Sequence, residues 1–166
     1  MTSPKFIKSA VIGLSLAVAS LSVAPVAFSA DANPVFATKS ISNSKIRAGV
    51  NAFEKGDFTK AAFFQKTALK SGLSKSRKVA AYTNLCAAEG ALGNLQDAKT
   101  ACSSALQIAA TSWEALNNQG VVQWLSGNTA AAAELFAAAQ SAAGGKGEIA
   151  TQNYQLASQF KLAEAN

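Results

Sequence analysis

A glycine followed by aspartate or asparagine occurs three times in the same sequence context, at Gly56, Gly93 and Gly127. The spacings are 37 and 34 residues, and an alanine-rich amphipathic stretch follows each glycine. A glycine can adopt the left-handed conformation that ends one helix, and Asp or Asn can cap the next helix. The period therefore predicts three helix–turn–helix units in tandem.

The rest of the sequence supports a stack of helices. Proline occurs only at positions 4, 25 and 34, so no residue that breaks helices interrupts the chain beyond that point. A single helical hairpin cannot bury its apolar face, whereas a stack of hairpins with a terminal cap can. The amphipathic stretch at residues 147–163 is predicted to be a capping helix. Residues 33–42 are predicted to be an extended or short helical lead-in segment that covers Phe63 and Phe64.

The three units resemble the tetratricopeptide repeat family. The third unit matches the family pattern best, the middle unit is next, and the first is weakest. The matching residues are Leu116, Gly120, Ala132, Phe136 and Ala139 in the third unit, Tyr82, Leu85, Ala98 and Ala105 in the middle unit, and Gly49, Ala61 and Ala68 in the first. The closing proline of the family is missing from all three units.

The resemblance implies an all-α fold, a right-handed superhelix of antiparallel helix pairs. The expected units are residues 43–76, 79–112 and 113–143, followed by the capping helix at 147–163. In the middle unit, Cys86 stands at the small position of the first helix and Cys102 replaces a later aromatic residue.

The two cysteines are the only ones in the chain. They lie on the two helices of one hairpin, at about the same height above the turn at Gly93, so a disulfide of about 3 kcal/mol in the chain-entropy model is predicted. Two free buried thiols are the alternative. A metal site is not expected, because the chain has no histidine and no further cysteine.

Tetratricopeptide arrays bind peptides in the concave groove that is lined by the first helix of each unit. The resemblance therefore implies a partner-binding surface made of residues on these first helices: Arg47, Val50, Phe53, Asn84, Asn117, Asn118, Val121 and Trp124. Amides can donate to and accept from an extended backbone, although Asn84 and Asn118 could instead satisfy neighbouring helix groups. Ile46 and Val50 stand where the chaperone-binding subtype carries its carboxylate-binding residues, which disfavours that subtype.

Positive charge is concentrated near the first unit. Residues 39–78 contain ten Lys or Arg against Glu54 and Asp57. A solvated surface is one interpretation, and contact with an anionic surface or an acidic partner through Lys60, Lys66 and Lys70 is the other.

The first 32 residues resemble an export signal. Lys5 and Lys8 precede an uncharged apolar stretch, and small residues follow Pro25. Cleavage is expected after Ser29 or Ala32, which would leave no transmembrane span in the mature chain. No cysteine lies near the cleavage region and no Arg-Arg pair precedes the apolar stretch, so we expect a periplasmic or secreted protein that uses the general secretory route without a lipid anchor.

These features favour a non-enzymatic adaptor that binds another protein of the cell envelope through its groove. The alternative is an envelope-associated structural module that uses the basic first unit. The sequence shows no paired carboxylates, phosphate loop or activated nucleophile, so neither catalysis nor a cofactor is expected. Nucleic acid is not an expected partner, and the sequence leaves self-association open.

Overall fold

The computed structural model describes residues 33–164, so the predicted export signal lies outside the described residues. This part of the chain contains helices and no strands. The helices are α1 (Ser44–Glu54), α2 (Phe58–Leu69), α3 (Lys75–Ala91), α4 (Leu95–Ile108), α5 (Trp113–Leu125), α6 (Thr129–Ala143) and α7 (Glu148–Glu164). The all-α helical-repeat fold predicted from the sequence is confirmed.

The turns within the hairpins form where the glycine period placed them. Gly56, Gly93 and Gly127 have φ angles of 76°, 80° and 82°. Only a residue without a Cβ adopts this conformation at little cost.

The predicted caps are present in part. The side chain of Asp57 accepts a hydrogen bond from the Lys60 amide at the start of α2. Asn94 and Asn128 stand at the predicted N-cap positions of α4 and α6, but their side chains form no cap hydrogen bond and donate instead to Glu89 and Gln123 on the preceding helix.

One contact recurs between the two helices of every hairpin, always between residues sixteen positions apart. The pairs are Gly49 with Gln65, Cys86 with Cys102, and Gly120 with Phe136. Two hairpins combine a glycine with a larger side chain, and the middle hairpin uses the predicted disulfide, whose Cα atoms lie 5.2 Å apart. The disulfide therefore takes the place of a packing contact.

The first helices of successive hairpins lie side by side. Contacts join α1 to α3, α3 to α5 and α5 to α7, whereas the second helices of the described hairpins do not contact one another. This asymmetry curves the stack and places the first helices on its concave face. The helix α7 occupies the place of the first helix of a fourth unit. No helix within residues 33–164 is both long and apolar enough to cross a bilayer.

Candidate functional site

The lead-in segment, residues 33–42, lies extended across the first helices on the concave face. Its main chain contacts α7 at Val35, α5 at Ala37 and α3 at Lys39, and the chain then enters α1 at Ser44. The expectation that this segment covers Phe63 and Phe64 is wrong, since the Phe63 side chain on α2 is 62% exposed. The lead-in segment instead occupies the groove in which a partner was expected.

Three asparagines, one on each of α3, α5 and α7, hold the lead-in segment by its main chain. The Asn118 side chain accepts from the Ala37 N–H at 2.7 Å and donates to the Ala37 carbonyl at 2.8 Å. Asn84 makes the same pair of bonds to Lys39 at 2.7 and 2.9 Å. Asn153 makes them to Val35 at 2.9 and 2.7 Å. We call Asn84, Asn118 and Asn153 the asparagine ladder.

The asparagine ladder fits an extended strand because its three asparagines, which we call its rungs, bind alternate residues. Alternate residues of a strand present their amide and carbonyl groups to the same side, and the ladder binds every second one. Each rung satisfies one donor and one acceptor of the main chain, so the segment is bound without regard to its side chains.

Buried hydrogen bonds fix the rungs in place. Asn117 donates to the Val35 carbonyl at 3.0 Å and accepts from Asn153 at 2.8 Å. Asn118 also donates to the Thr83 carbonyl on α3 at 3.2 Å. Asn117, Asn118 and Asn153 are at most 2% exposed, so their orientation is determined by these partners and not by water.

Side chains of the lead-in segment add three specific contacts. The Phe36 ring lies over Gly90 of α3, where an added methyl group would come within 2.3 Å of Phe36 Cζ. Ala37 is completely buried. The Lys39 ammonium forms an ion pair with Glu114 of α5 at 2.6 Å, and Ser112 donates to the other oxygen of Glu114. The groove therefore accommodates an aromatic, a small and a basic residue.

A cleft of about 660 Å³ remains open beside the lead-in segment. Its walls come from Phe53 and Phe58 at the end of the first hairpin turn, from Val35 and Phe36, and from Ile149 of α7. The Val35 side chain is 49% exposed there. The cleft is therefore mainly apolar and open to solvent on one side.

The other predicted groove residues are not all at this surface. Arg47 is exposed on α1, while Val50 and Val121 are buried. Val121 packs with Phe136 and Ala157 in the core. Trp124 stacks edge to face on Phe160 of α7, with ring centres 4.9 Å apart, so its contact in this structure is the final helix.

Sequence reasoning missed Asn153. It lies 35 residues after Asn118, nearly the same step that separates Asn118 from Asn84. Because residues 147–163 were interpreted as a cap, the repeat was not extended into them. The recurring asparagine is the signal that could have identified α7 as a groove helix.

The lysines of the predicted anionic contact are exposed, but one of them has a partner inside the protein. Lys66 on α2 forms an ion pair with the buried Glu89 of α3 at 2.6 Å, whereas Lys60 and Lys70 are simply exposed. The ion pair compensates the charge of Lys66 and joins the first hairpin to the second. Contact of the exposed Lys60 and Lys70 with an anionic surface or an acidic partner stays a prediction.

The charge state of Glu89 depends on this environment. Burial by itself raises the pKa of Glu89, but hydrogen bonds from Lys66 and Asn94 and the positive charge of Lys66 outweigh burial, so the pKa lies below its ordinary value of 4.5. A carboxyl group whose pKa is lowered by folding stabilises the protein above its unfolded pKa. This contribution disappears as the pH falls through the folded-state pKa.

We expect Glu89→Gln to lower the free energy of unfolding by about 1–2 kcal/mol at pH 7, because a charged hydrogen-bond acceptor is lost. The difference in the free energy of unfolding between Glu89→Gln and wild type should shrink as the pH falls below about 4.5, because Glu89 then becomes protonated in the wild type as well. Urea denaturation between pH 7 and 3 measures it. The control is Glu134→Gln, which alters an exposed carboxylate of α6. A difference that is independent of pH would contradict this explanation.

Within the part of the chain that the structure describes, no group of three or more Cys, Asp or Glu side chains is arranged to hold a metal ion. The groove offers hydrogen bonds, one carboxylate and apolar surface. This chemistry can bind a polypeptide.

Solved structures with a similar fold are tetratricopeptide-repeat domains. The first such domain of human RPAP3 matches with a TM-score of 0.62 at 16% identity, covering 74% of this chain and 93% of that one. The first tetratricopeptide domain of Spaghetti (RPAP3) bound to the HSP90 peptide SRMEEVD matches at 0.61 and 16% identity, covering 74% and 94%. The TPR2B domain of yeast Sti1, in a complex with pHsp70, matches at 0.58 and 22% identity, covering 70% and 98%. No protein-family model and no curated protein matches the sequence.

Proposed function

We propose that this chain, which has the fold of tetratricopeptide-repeat domains, is a non-enzymatic adaptor that binds an extended segment of another protein in its concave groove. The observation that carries the proposal is the asparagine ladder. It forms paired hydrogen bonds with the main chain of an extended segment at every second residue. Paired main-chain hydrogen bonds at every second residue suit the binding of a peptide strand.

The similar domains of Spaghetti and Sti1 were solved with a peptide or with pHsp70, and this supports a groove-binding role by analogy of fold. Ile46 and Val50 of α1 are buried, and the concave surface presents amides together with Glu114. The amides can bind the main chain in the middle of an extended segment, and Glu114 can pair with a basic side chain of that segment.

The cellular setting is part of the proposal. The apolar stretch after Lys5 and Lys8 supports export through the general secretory route, and the Cys86–Cys102 disulfide is the form that an oxidising compartment favours. We therefore propose that the protein works in the periplasm or outside the cell, with an envelope protein as its partner.

Site-specific photo-crosslinking in intact cells tests the proposal. We expect benzoyl-phenylalanine in place of Phe53, in the cleft, to capture one defined envelope protein. The same group in place of Phe63, on α2, should not capture it. Both substitutions exchange one phenylalanine for another aromatic residue and differ mainly in location. Capture through position 63 alone, or failure of the captured protein to bind the purified chain, would reject the groove as the binding surface.

A further inference from the structure

We infer that the lead-in segment is a resident ligand of the groove, and that the partner replaces it with an extended segment of matching pattern. That pattern is an aromatic residue, then alanine or glycine, then any residue, then lysine or arginine. The inference rests on the proposed function, because it specifies what the groove binds and what limits access to it.

The main-chain contacts show why replacement is chemically possible. The ladder bonds to residues 35, 37 and 39 involve only amide N–H and carbonyl groups of the lead-in segment. Every extended polypeptide without proline at these positions presents the same groups in the same spacing. The groove therefore cannot distinguish its own segment from another chain by these bonds.

The side-chain contacts define the pattern. The Phe36 ring fills the space that Gly90 leaves open, and it packs against core residues of the hairpins. Ala37 is completely buried, so a larger side chain at its position would have to displace its neighbours. Glu114, with its side chain 8% exposed, selects a positive charge at the position of Lys39. Val35 is half-exposed and leaves its position open to many residues.

The lead-in segment is covalently joined to α1, which favours its binding to the groove over that of a free peptide. A segment joined by a short linker has an effective concentration of about millimolar, so a free peptide of equal intrinsic affinity is largely excluded. The resident and the incoming segment use the same asparagines. A groove mutation alone weakens both and changes the apparent affinity little, so the resident segment must be disabled before the groove is tested.

The experiment measures binding of a fluorescent peptide, Asn33–Ile41, to the full chain by anisotropy. We expect Ala37→Glu to expel the lead-in segment, because a carboxylate cannot be buried there without a partner, and to tighten peptide binding at least about 10-fold over wild type. Ser40→Glu is the matched control. It adds the same charge to the same segment at an exposed position that belongs neither to the asparagine ladder nor to the walls of the cleft, and its affinity should equal that of wild type.

Two further variants show where the peptide binds and control for misfolding. Ala37→Glu/Asn118→Leu should lose the peptide that Ala37→Glu binds. Lys39→Glu, which places a second carboxylate beside Glu114 near the surface, should tighten peptide binding in the same direction as Ala37→Glu. Circular dichroism checks helix content in each variant, and a peptide with glutamate at its alanine position should not bind.

Several results of these experiments would contradict the inference. Equal binding by wild type, Ala37→Glu and Lys39→Glu would overturn the inference, as would binding that survives Asn118→Leu. A concentration-dependent dimer of wild type in sedimentation, broken by Ala37→Glu, would show that a second copy supplies the segment and would overturn its assignment to the same chain. If photo-crosslinking still captures a partner through position 53 while the peptide fails to bind, the proposed function stands and this inference fails.

Discussion

Replacing Asn118 with leucine should release the lead-in segment from the groove and raise hydrogen exchange at residues 35–39 about 100-fold, because each buried backbone group left without a partner costs about 1–3 kcal/mol. Asn118 is completely buried, and Ala37, whose N–H and carbonyl it binds, is also buried. Leucine has nearly the same shape but can neither donate nor accept. Detachment of the segment exposes its N–H and carbonyl groups to water and so avoids the cost of burying them without partners.

Exchange measured by mass spectrometry or NMR separates this local release from global unfolding. We expect the amides of the helices α3 and α5 to retain most of their protection, because the apolar cluster that contains Leu85, Cys86 and Val122 does not include Asn118. Gln119→Leu is the control, since it removes an amide from the neighbouring position of α5 that forms no hydrogen bond with the segment. Unchanged exchange at residues 35–39 in Asn118→Leu would show that the ladder does not hold the segment.

Loss of the Cys86–Cys102 disulfide should lower the free energy of unfolding by about 3 kcal/mol, since a loop of this size loses its constraint on the unfolded chain. For a domain of this length the melting temperature should fall by roughly 10 °C. The disulfide joins α3 to α4 at the contact that other hairpins make by packing a glycine against a larger side chain. Its removal therefore weakens the middle of the stack, on which both outer hairpins depend.

Thermal unfolding of three samples tests this expectation: oxidised wild type, reduced wild type and Cys86→Ala/Cys102→Ala. The reduced protein and the double variant should unfold at similar temperatures, well below the oxidised protein. Reductant should leave the double variant unchanged, which controls for other effects of the reagent. Equal melting temperatures for oxidised and reduced wild type would contradict a stabilising role.

The repeat could be predicted because its signals are local. The glycines at 56, 93 and 127 mark turns through their own backbone preference, and the alanines that follow mark the buried faces of helices. The cysteine pair was also predictable, since an antiparallel hairpin relates residues that flank a turn. The capping interactions were harder, because Asn94 and Asn128 have alternative partners five residues back along the chain.

The groove was predicted only in part. The resemblance to tetratricopeptide repeats placed Asn84 and Asn118 on its surface, but Asn153 was overlooked because residues 147–163 were predicted to be a cap. The same resemblance placed Val121 and Trp124 in the groove. In the structure Val121 packs into the core and Trp124 packs on Phe160 of α7, and no local sequence signal predicts either contact.

The sequence by itself determined the helices, their pairing and the disulfide, because each depends on residues within about one repeat of one another. The tertiary structure alone decided what fills the groove. The contacts of the lead-in segment join residues 45, 81 and 118 positions apart, and they run through backbone groups that every residue carries. Contacts through these groups therefore leave no recognisable pattern in the sequence. Only the curved stack of α3, α5 and α7 brings the three asparagines into line with a strand.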